Sequence, residues 1–299
     1  MSFSNWMSLL KDEAKLVDIV MPGSHNSGCR KMILPVANCQ CGDLAEQFRY
    51  GVRLFSVRLD MNLFKNKVVY SHSLIRGLPF ENDLKTLRKI MDENPSEFFI
   101  LDIRDYGHDR FGPFSFYFHA DFDKVDALIE KHLEPSKYAL TDFESIADVT
   151  MGDIRKSGKR FLLMNDSGDY KYSVSIPNQN PWSSERHGRL ASVFAERATE
   201  VFDQFDTDGI FILQTQQTCG FGTDIGISNP LKIDRIFRPH YDTIINNIKN
   251  NPKYLEKVNV ISSDYMSKDD FKAKKIIALN LLKGNVDENK INEFNKLVK

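Results

Sequence analysis

Short, nearly continuous apolar runs recur along the chain, and between them lie longer stretches whose apolar residues return every three or four positions. The runs Val17–Met21, Leu54–Leu59, Val68–Tyr70, Phe98–Ile103, Arg160–Met164, Gly209–Gln214 and Val258–Ser262 are rich in Val, Ile, Leu and Phe. Such runs are expected of strands covered on both faces of a parallel sheet. The intervening pattern predicts helices over Asp43–Tyr50, Glu81–Glu93, Asp121–His132, Arg186–Asp203, Asp234–Asn250 and Lys268–Leu282. In the second of these, Leu84, Leu87, Ile90 and Met91 share one face. Asn94-Pro95 and Asn251-Pro252 stop helices ahead of the strands at Phe98 and Val258. Strand–helix alternation without GxGxxG or a Walker sequence argues against a nucleotide fold. The pattern predicts a single (β/α) barrel domain over 1–299, irregular where Asn165–Arg186 is loop-rich with Gly168, Pro177 and Pro181.

Length fits that architecture. The 299 residues are close to the roughly 250 typical of a barrel enzyme and ample for a full core. Apolar residues make up 41% and charged residues 27%, values of a globular chain rather than a disordered one. A formal net charge of −1 gives no basic field for nucleic acid. The four cysteines, Cys29, Cys39, Cys41 and Cys219, make neither a disulfide scaffold nor a zinc knuckle. Reduced, mostly buried thiols are expected. The N-terminal stretch Met1–Glu13 does not read as a Sec signal, and no run reaches the roughly 20 apolar residues of a spanning helix. A soluble monomer is expected, either cytoplasmic or exported by a route without a Sec signal.

The chemistry gathers where apolar runs stop. Pro22 and Gly23 are read as ending the first strand, which places His25 on the loop just beyond it. His72 follows Val68–Tyr70 in the same way. Arg58 lies near the end of the second run, and Asp264 follows the last one in Ile261-Ser-Ser-Asp264-Tyr265. Taken singly, a histidine after a strand is an ordinary loop hydrogen-bonder, Asp264 a helix cap and Arg58 a partner in an interior ion pair. Together they fall at strand C-termini, the rim on which barrel enzymes collect catalytic side chains. Two imidazoles there suit a reaction with two proton transfers.

These residues carry a resemblance. Pro22-Gly-Ser-His25-Asn26-Ser27, the helix–strand unit from Asp43 through Gly51-Val-Arg53 to Arg58, Tyr70-Ser-His72 and Asn94-Pro-Ser-Glu97 through Asp102-Ile-Arg104 together resemble the X domain of the phosphatidylinositol-specific phospholipase C superfamily. Val258–Tyr265 resembles its last strand. The resemblance implies an α/β fold, a distorted (β/α)8 TIM barrel, and cleavage of phosphatidylinositol or a glycosylated relative to diacylglycerol and a cyclic inositol phosphate. It makes His25 the general base on the inositol 2-hydroxyl, His72 the general acid for the leaving oxygen, and Asp264 the group that orients His25. Asn26 joins this set as a phosphate contact.

The calcium-dependent branch of the superfamily needs acidic ligands where this chain has Ser56, Arg58 and Arg104. Those residues cannot build an oxygen cage for a hard cation. Arg58 matches the metal-independent bacterial branch, so no metal and no cofactor are expected, with the guanidinium neutralising the phosphorane. That branch carries Asp at the positions of Asn26 and Ser56. Arg104, Asn165, Asp166 and Gln214 are the candidate head-group contacts, and Trp182 with the run Phe111–Phe118 a candidate membrane-touching rim. The alternative is a catalytically silenced barrel that binds inositol lipids. A barrel phosphodiesterase of another type would need a metal-binding acidic cluster near His25, and Asp60 alone does not supply one.

Overall fold

The computed structural model describes residues 3–104, 120–165, 169–187, 190–218 and 229–299, and the backbone of 107–111 and 114–118. Twelve strands are present among them: β1 (Met21–Ser24), β2 (Leu54–Val57), β3 (Leu59–Met61), β4 (Val68–His72), β5 (Ile75–Pro79), β6 (Phe99–Ile103), β7 (Gly107–Phe111), β8 (Phe114–Phe118), β9 (Phe161–Met164), β10 (Asn178–Gln179), β11 (Ile210–Gln214) and β12 (Val260–Ser263). Seven of them form one sheet in the order β10-β11-β12-β1-β2-β6-β9, and every pairing is parallel. The order is the chain order closed on itself through β12 and β1, as in a barrel, and it is interrupted between β9 and β10. The interruption falls in the loop-rich stretch whose composition offered no long apolar run.

Side chains alternate across a strand, and the register sorts them. Met21, Leu54, Ile100, Leu162, Ile212 and Val260 share one buried cluster with the N-terminal residues Trp6, Met7 and Leu9. Phe55, Leu101, Leu163, Leu213 and Ile261 belong to the other, with Leu84 and Leu87 of helix Phe80–Glu93, Ile129 of helix Phe122–Leu133 and Ile244 of helix Tyr241–Asn250. The first set therefore fills the barrel and the second packs under the helices. Further along most strands the inward positions turn polar: Ser262 and Gln214 are in register, as are Ser56 and Asp102, while β1 presents Gly23 and β9 keeps the apolar Met164. Apolar filling at the N-terminal end and polar residues at the C-terminal end give the barrel a closed floor and a polar mouth.

The floor is pinned by a buried ion pair drawn from two of the sequence motifs. Arg53 and Glu97 are fully buried and paired. Arg53 also donates to the carbonyls of Phe48, Val52, Phe3 and Ser4. Glu97 accepts from the backbone N–H of Met7 and Ser8 at 3.2 Å each. A buried charge pair persists only when its remaining donors and acceptors are satisfied, and here the N-terminal segment satisfies them.

Three expectations need correction. Val17–Val20 is not strand: Val20 bonds the side chain of Asn280 in both directions, and Asn259 holds the carbonyls of Leu16 and Ile19. Side-chain amides thus replace the ladder. Pro22 and Gly23 lie inside β1 rather than ending it; pairing with β2 starts only at Gly23, so the N–H that Pro22 lacks is not needed. Val68–Tyr70 belongs not to the barrel but to a separate antiparallel sheet, β3-β4-β5. In addition, Phe111 and Phe114–Phe118, from the candidate membrane-touching run, lie in the antiparallel hairpin β7–β8, and their side chains lie outside the described residues. The predicted helices occur with shifted or broken bounds; Asp43 and Asp121 cap theirs by accepting from Glu46 N–H and Lys124 N–H.

Candidate active site

Six of the sheet's strands run parallel into one rim, so the residue after each strand lands at the same edge: His25 after β1, Arg58 after β2, Arg104 after β6, Asn165 after β9 and Asp264 after β12, with Gln214 ending β11. Ser24 is in register with Ser263, which sets His25 beside Asp264. The imidazole Nδ1 lies 2.8 Å from Asp264 Oδ1, with both side chains largely buried. An ionised carboxylate accepts, so Nδ1–H donates and Nε2 keeps its lone pair for the barrel mouth. The Trp182 ring packs edge-on to the imidazole, with centroids 5.4 Å apart.

His72 arrives by a different route. β3 follows β2 directly and leaves the barrel; β4 returns antiparallel to it, and Ser71 N–H donates to the Arg58 carbonyl at 2.9 Å. The return brings His72, the last residue of β4, back to the mouth beside Arg58. It also relies on Gly28, where a Cβ would lie 2.0 Å from the Tyr70 ring. Only glycine lets β4 sit that close to the loop carrying His25. Tyr70 is fixed in turn by its hydroxyl, which donates to Asp83 at 3.0 Å, and burial raises that carboxyl to a pKa of about 6.

Burial pushes the His72 pKa down to about 4, helped by electrostatic interaction with His25 and Arg58 and opposed by Asp264. Those three neighbours are the other members of the predicted set, so the four side chains share one electrostatic environment. His72 Nδ1 is buried without a hydrogen-bond partner. Among the described residues Arg58 forms no side-chain hydrogen bond or ion pair, which leaves its five donors for an anion at the mouth.

The remaining predicted residues are more committed to the protein. Asn26 is buried with a left-handed φ of 44°, and its amide reaches Cys39 Sγ at 3.7 Å. Arg104 Nε donates to Asp102 Oδ2 at 2.9 Å. Asn165 donates to the Ile103 carbonyl at 2.8 Å, and Gln214 is bonded to Asn180 and Gln216. Asp166 lies outside the described residues, as does Cys219. Of the cysteines described, Cys29 and Cys39 are buried and Cys41 is exposed, a departure from mostly buried thiols only at Cys41.

Several site residues escaped the sequence reading. Asp102, buried and in register with Ser56, supplies a carboxylate at the mouth from the adjacent strand. Gln40 donates to the carbonyls of His25 (2.9 Å) and Ser263 (3.1 Å) and accepts from Met266 N–H, clasping the loops that carry His25 and Asp264 together. Lys272, buried on helix Phe271–Leu282, donates to Asp234 Oδ1 (2.6 Å), Ser263 Oγ (2.9 Å) and the Asp264 carbonyl (2.6 Å). A glutamine in a loop and a lysine on a helix give no signal in a linear pattern. Only the Asp102-Ile-Arg104 spacing, at the end of a recognised motif strand, could have pointed to Asp102 in advance.

Comparison with known proteins supports the same architecture. No family model matches the chain. The curated 1-phosphatidylinositol phosphodiesterase of Listeria monocytogenes is 26% identical over 106 residues, which is 33% of this chain and 32% of that protein. The match thus spans about a third of the curated relative's length. Among solved structures, the phosphatidylinositol-specific phospholipase C from Listeria monocytogenes superposes with a TM-score of 0.64 at 17% identity, covering 94% of this chain and 99% of that one. A phosphatidylinositol-specific phospholipase C from S. aureus gives 0.64 at 19% identity, covering 93% and 97%. The resemblance carried by the sequence motifs is therefore borne out, and the chain has the distorted TIM-barrel fold of these bacterial proteins.

Proposed function

We propose, from the barrel it shares with bacterial phosphatidylinositol-specific phospholipases C, that this chain is a phosphodiesterase that cleaves phosphatidylinositol or a glycosylated relative without a metal ion. The observation that carries the reading is the His25–Asp264 hydrogen bond of 2.8 Å at a mouth shared with Arg58 and His72. His25 Nε2 takes the proton of the inositol 2-hydroxyl, whose oxygen forms a bond to the adjacent phosphorus. The bond from phosphorus to the glycerol oxygen breaks, and His72 returns a proton to that oxygen. Arg58 spreads its charge over the phosphorane oxygens. Support for a metal-free site comes from the residues on the rim: Ser56, Arg58 and Arg104 stand where a calcium cage needs carboxylates.

His72 near 4 is neutral at pH 7, whereas a general acid must carry a proton. An anionic phosphodiester drawn in by Arg58 supplies the charge that raises the imidazole's affinity for that proton. Loading the acid is thereby tied to substrate arrival. Asn26, Arg104, Asn165, Asp166 and Gln214 remain the proposed contacts to phosphate and inositol.

The lipid is reached through apolar side chains on the same rim. Ile33 (83% exposed) lies between β1 and helix Leu44–Arg49, and Leu63 (82%) and Phe64 (85%) form the tip of the β3–β4 hairpin. Lys65 and Lys67 flank that tip, and Lys124 Nζ donates to the Lys65 carbonyl. Apolar residues ringed by lysines suit transient contact with an anionic bilayer. No helix among the described residues is long and apolar enough to cross a membrane.

The test is release of cyclic inositol phosphate from phosphatidylinositol vesicles with and without EDTA, for the intact protein, His25→Ala and Arg58→Asp. The expected result is a rate indifferent to EDTA and lowered at least about a hundredfold by either substitution. Loss of activity on chelation, or a His25→Ala protein as active as its parent, would overturn the reading.

A further inference from the structure

Cys39 is not one of the residues the proposed reaction uses, yet its sulfur lies next to the base. One donor atom each from His25, Cys39 and Asp264 falls within 4.8 Å of the other two, and this is the one group of three such residues found among the described residues. We propose that these three side chains form an inhibitory site for a thiophilic divalent cation, zinc first among them.

The donor set selects the ion. One thiolate, one imidazole nitrogen and one carboxylate oxygen, with a fourth position open to water, is the composition that zinc accepts. Calcium and magnesium require oxygen ligands in larger number and gain little from sulfur. The thiolate and carboxylate charges neutralise a divalent ion; of the cations nearby, Arg58 is unpaired among the described residues and Lys272 is already paired with Asp234.

The ligands are held in place before any ion arrives. Cys39 N–H donates to the Cys29 carbonyl at 2.9 Å, and the Cys39 carbonyl accepts from Tyr265 N–H at 2.8 Å, one residue beyond Asp264. Gln40 ties the same segment to the carbonyls of His25 and Ser263. The three ligand-bearing loops are thus cross-linked to one another by backbone hydrogen bonds. Binding has to draw donors that now lie within 4.8 Å of one another to the roughly 2.0–2.3 Å bond lengths of zinc, and to take Cys39 Sγ from the Asn26 amide.

Occupancy disables the base by a defined proton balance. The ion takes Nδ1, the nitrogen that faces Asp264, in place of the proton shared there. That proton moves to Nε2, and the Cys39 thiol releases its own to solvent. His25 then carries a hydrogen where a lone pair is needed to accept from the 2-hydroxyl. Inhibition in this form rests on the proposed function; binding of the ion does not.

Cobalt(II) titration of the full-length protein reads the site directly, because a thiolate ligand gives a near-ultraviolet charge-transfer band. The intact protein is expected to show the band and lose it to stoichiometric zinc. Cys39→Ser is expected to lack it while keeping its thermal unfolding profile, and Cys29→Ser and Cys41→Ser to retain it. His25→Gln provides a second variant and should weaken zinc binding at least about tenfold, the loss of one ligand bond. On lipid vesicles, zinc should inhibit the intact protein, and Cys39→Ser should keep its basal rate but need at least about tenfold more zinc. No cobalt band in the intact protein, or equal zinc affinity with and without Cys39, would overturn the proposal. A band in a protein that cleaves no lipid would sink the proposed function and leave the metal site standing.

Discussion

The displaced titration of His72 makes stability at low pH depend on one side chain. Burial, with electrostatic interaction with His25 and Arg58 in the same direction, moves its pKa from 6.5 to about 4, so the folded state resists a proton that the unfolded chain accepts readily. The sign follows: the contribution is fully present above the unfolded value of 6.5 and is lost as pH falls toward 4, where the folded protein at last takes the proton as well. Between about pH 7.5 and pH 4.5 the linkage integral for these two values comes to roughly 2–3 kcal/mol lost. Carboxylates titrate in the same window, so the comparison must be with His72→Gln, which keeps polarity and approximate size but binds no proton. Urea unfolding of both proteins at the two pH values gives a double difference in which the other groups cancel. The substituted protein should lose about 2–3 kcal/mol less than its parent on acidification. NMR titration of the ring protons should place the His72 midpoint near 4 in the free protein and higher when a soluble inositol phosphate is bound. A double difference near zero, or a free-state midpoint close to 6.5, would refute both the burial argument and the idea that the substrate loads the acid.

Other consequences can be checked the same way. Lys272→Met leaves Asp234 buried without its nearest cation and should destabilise by about 3–5 kcal/mol. Replacing both members by apolar residues should recover most of that loss in urea unfolding, but not the rate, because the Asp264 carbonyl has lost its donor. Glu97→Gln strands Arg53 in the barrel floor and should cost a similar amount, with a lower thermal midpoint and earlier proteolysis of the N-terminal segment. Leu63→Ser with Phe64→Ser removes two apolar side chains worth about 1.5–3 kcal/mol each when fully buried. Vesicle binding should weaken at least about tenfold in a sedimentation assay, while hydrolysis of a soluble cyclic inositol phosphate stays unchanged; equal sedimentation would remove the hairpin tip from the membrane contact.

Much of the architecture was written along the chain. Leu54–Val57, Phe99–Ile103, Phe161–Met164, Ile210–Gln214 and Val260–Ser263 are apolar enough to be read as buried parallel strands, and a parallel strand's two covered faces require that composition. Since each such strand delivers its next residue to one rim, Arg58 and Asp264 could be located by reading where an apolar run stops, and His25 by the motif around Pro22. The errors have a common cause. Val17–Val20 looks like a strand because burial alone demands apolar residues, and burial there comes from a turn whose backbone is held by Asn259 and Asn280, more than 240 positions away. Val68–Tyr70 reads like a barrel strand because period and composition carry no record of which sheet a strand joins.

What the sequence determined by itself was the inventory and its rough order: the parallel strands, two histidines, an arginine in place of carboxylates, and an aspartate after the last strand. Tertiary structure alone decided that β4 folds back on Arg58 to deliver His72, that Gln40 and Lys272 clamp the loops bearing His25 and Asp264, and that Cys39 lies beside His25. Those outcomes depend on close approach between segments far apart in the chain, such as Gly28 under the Tyr70 ring. Local preference cannot encode such an approach, because its free energy arises only when both surfaces are present.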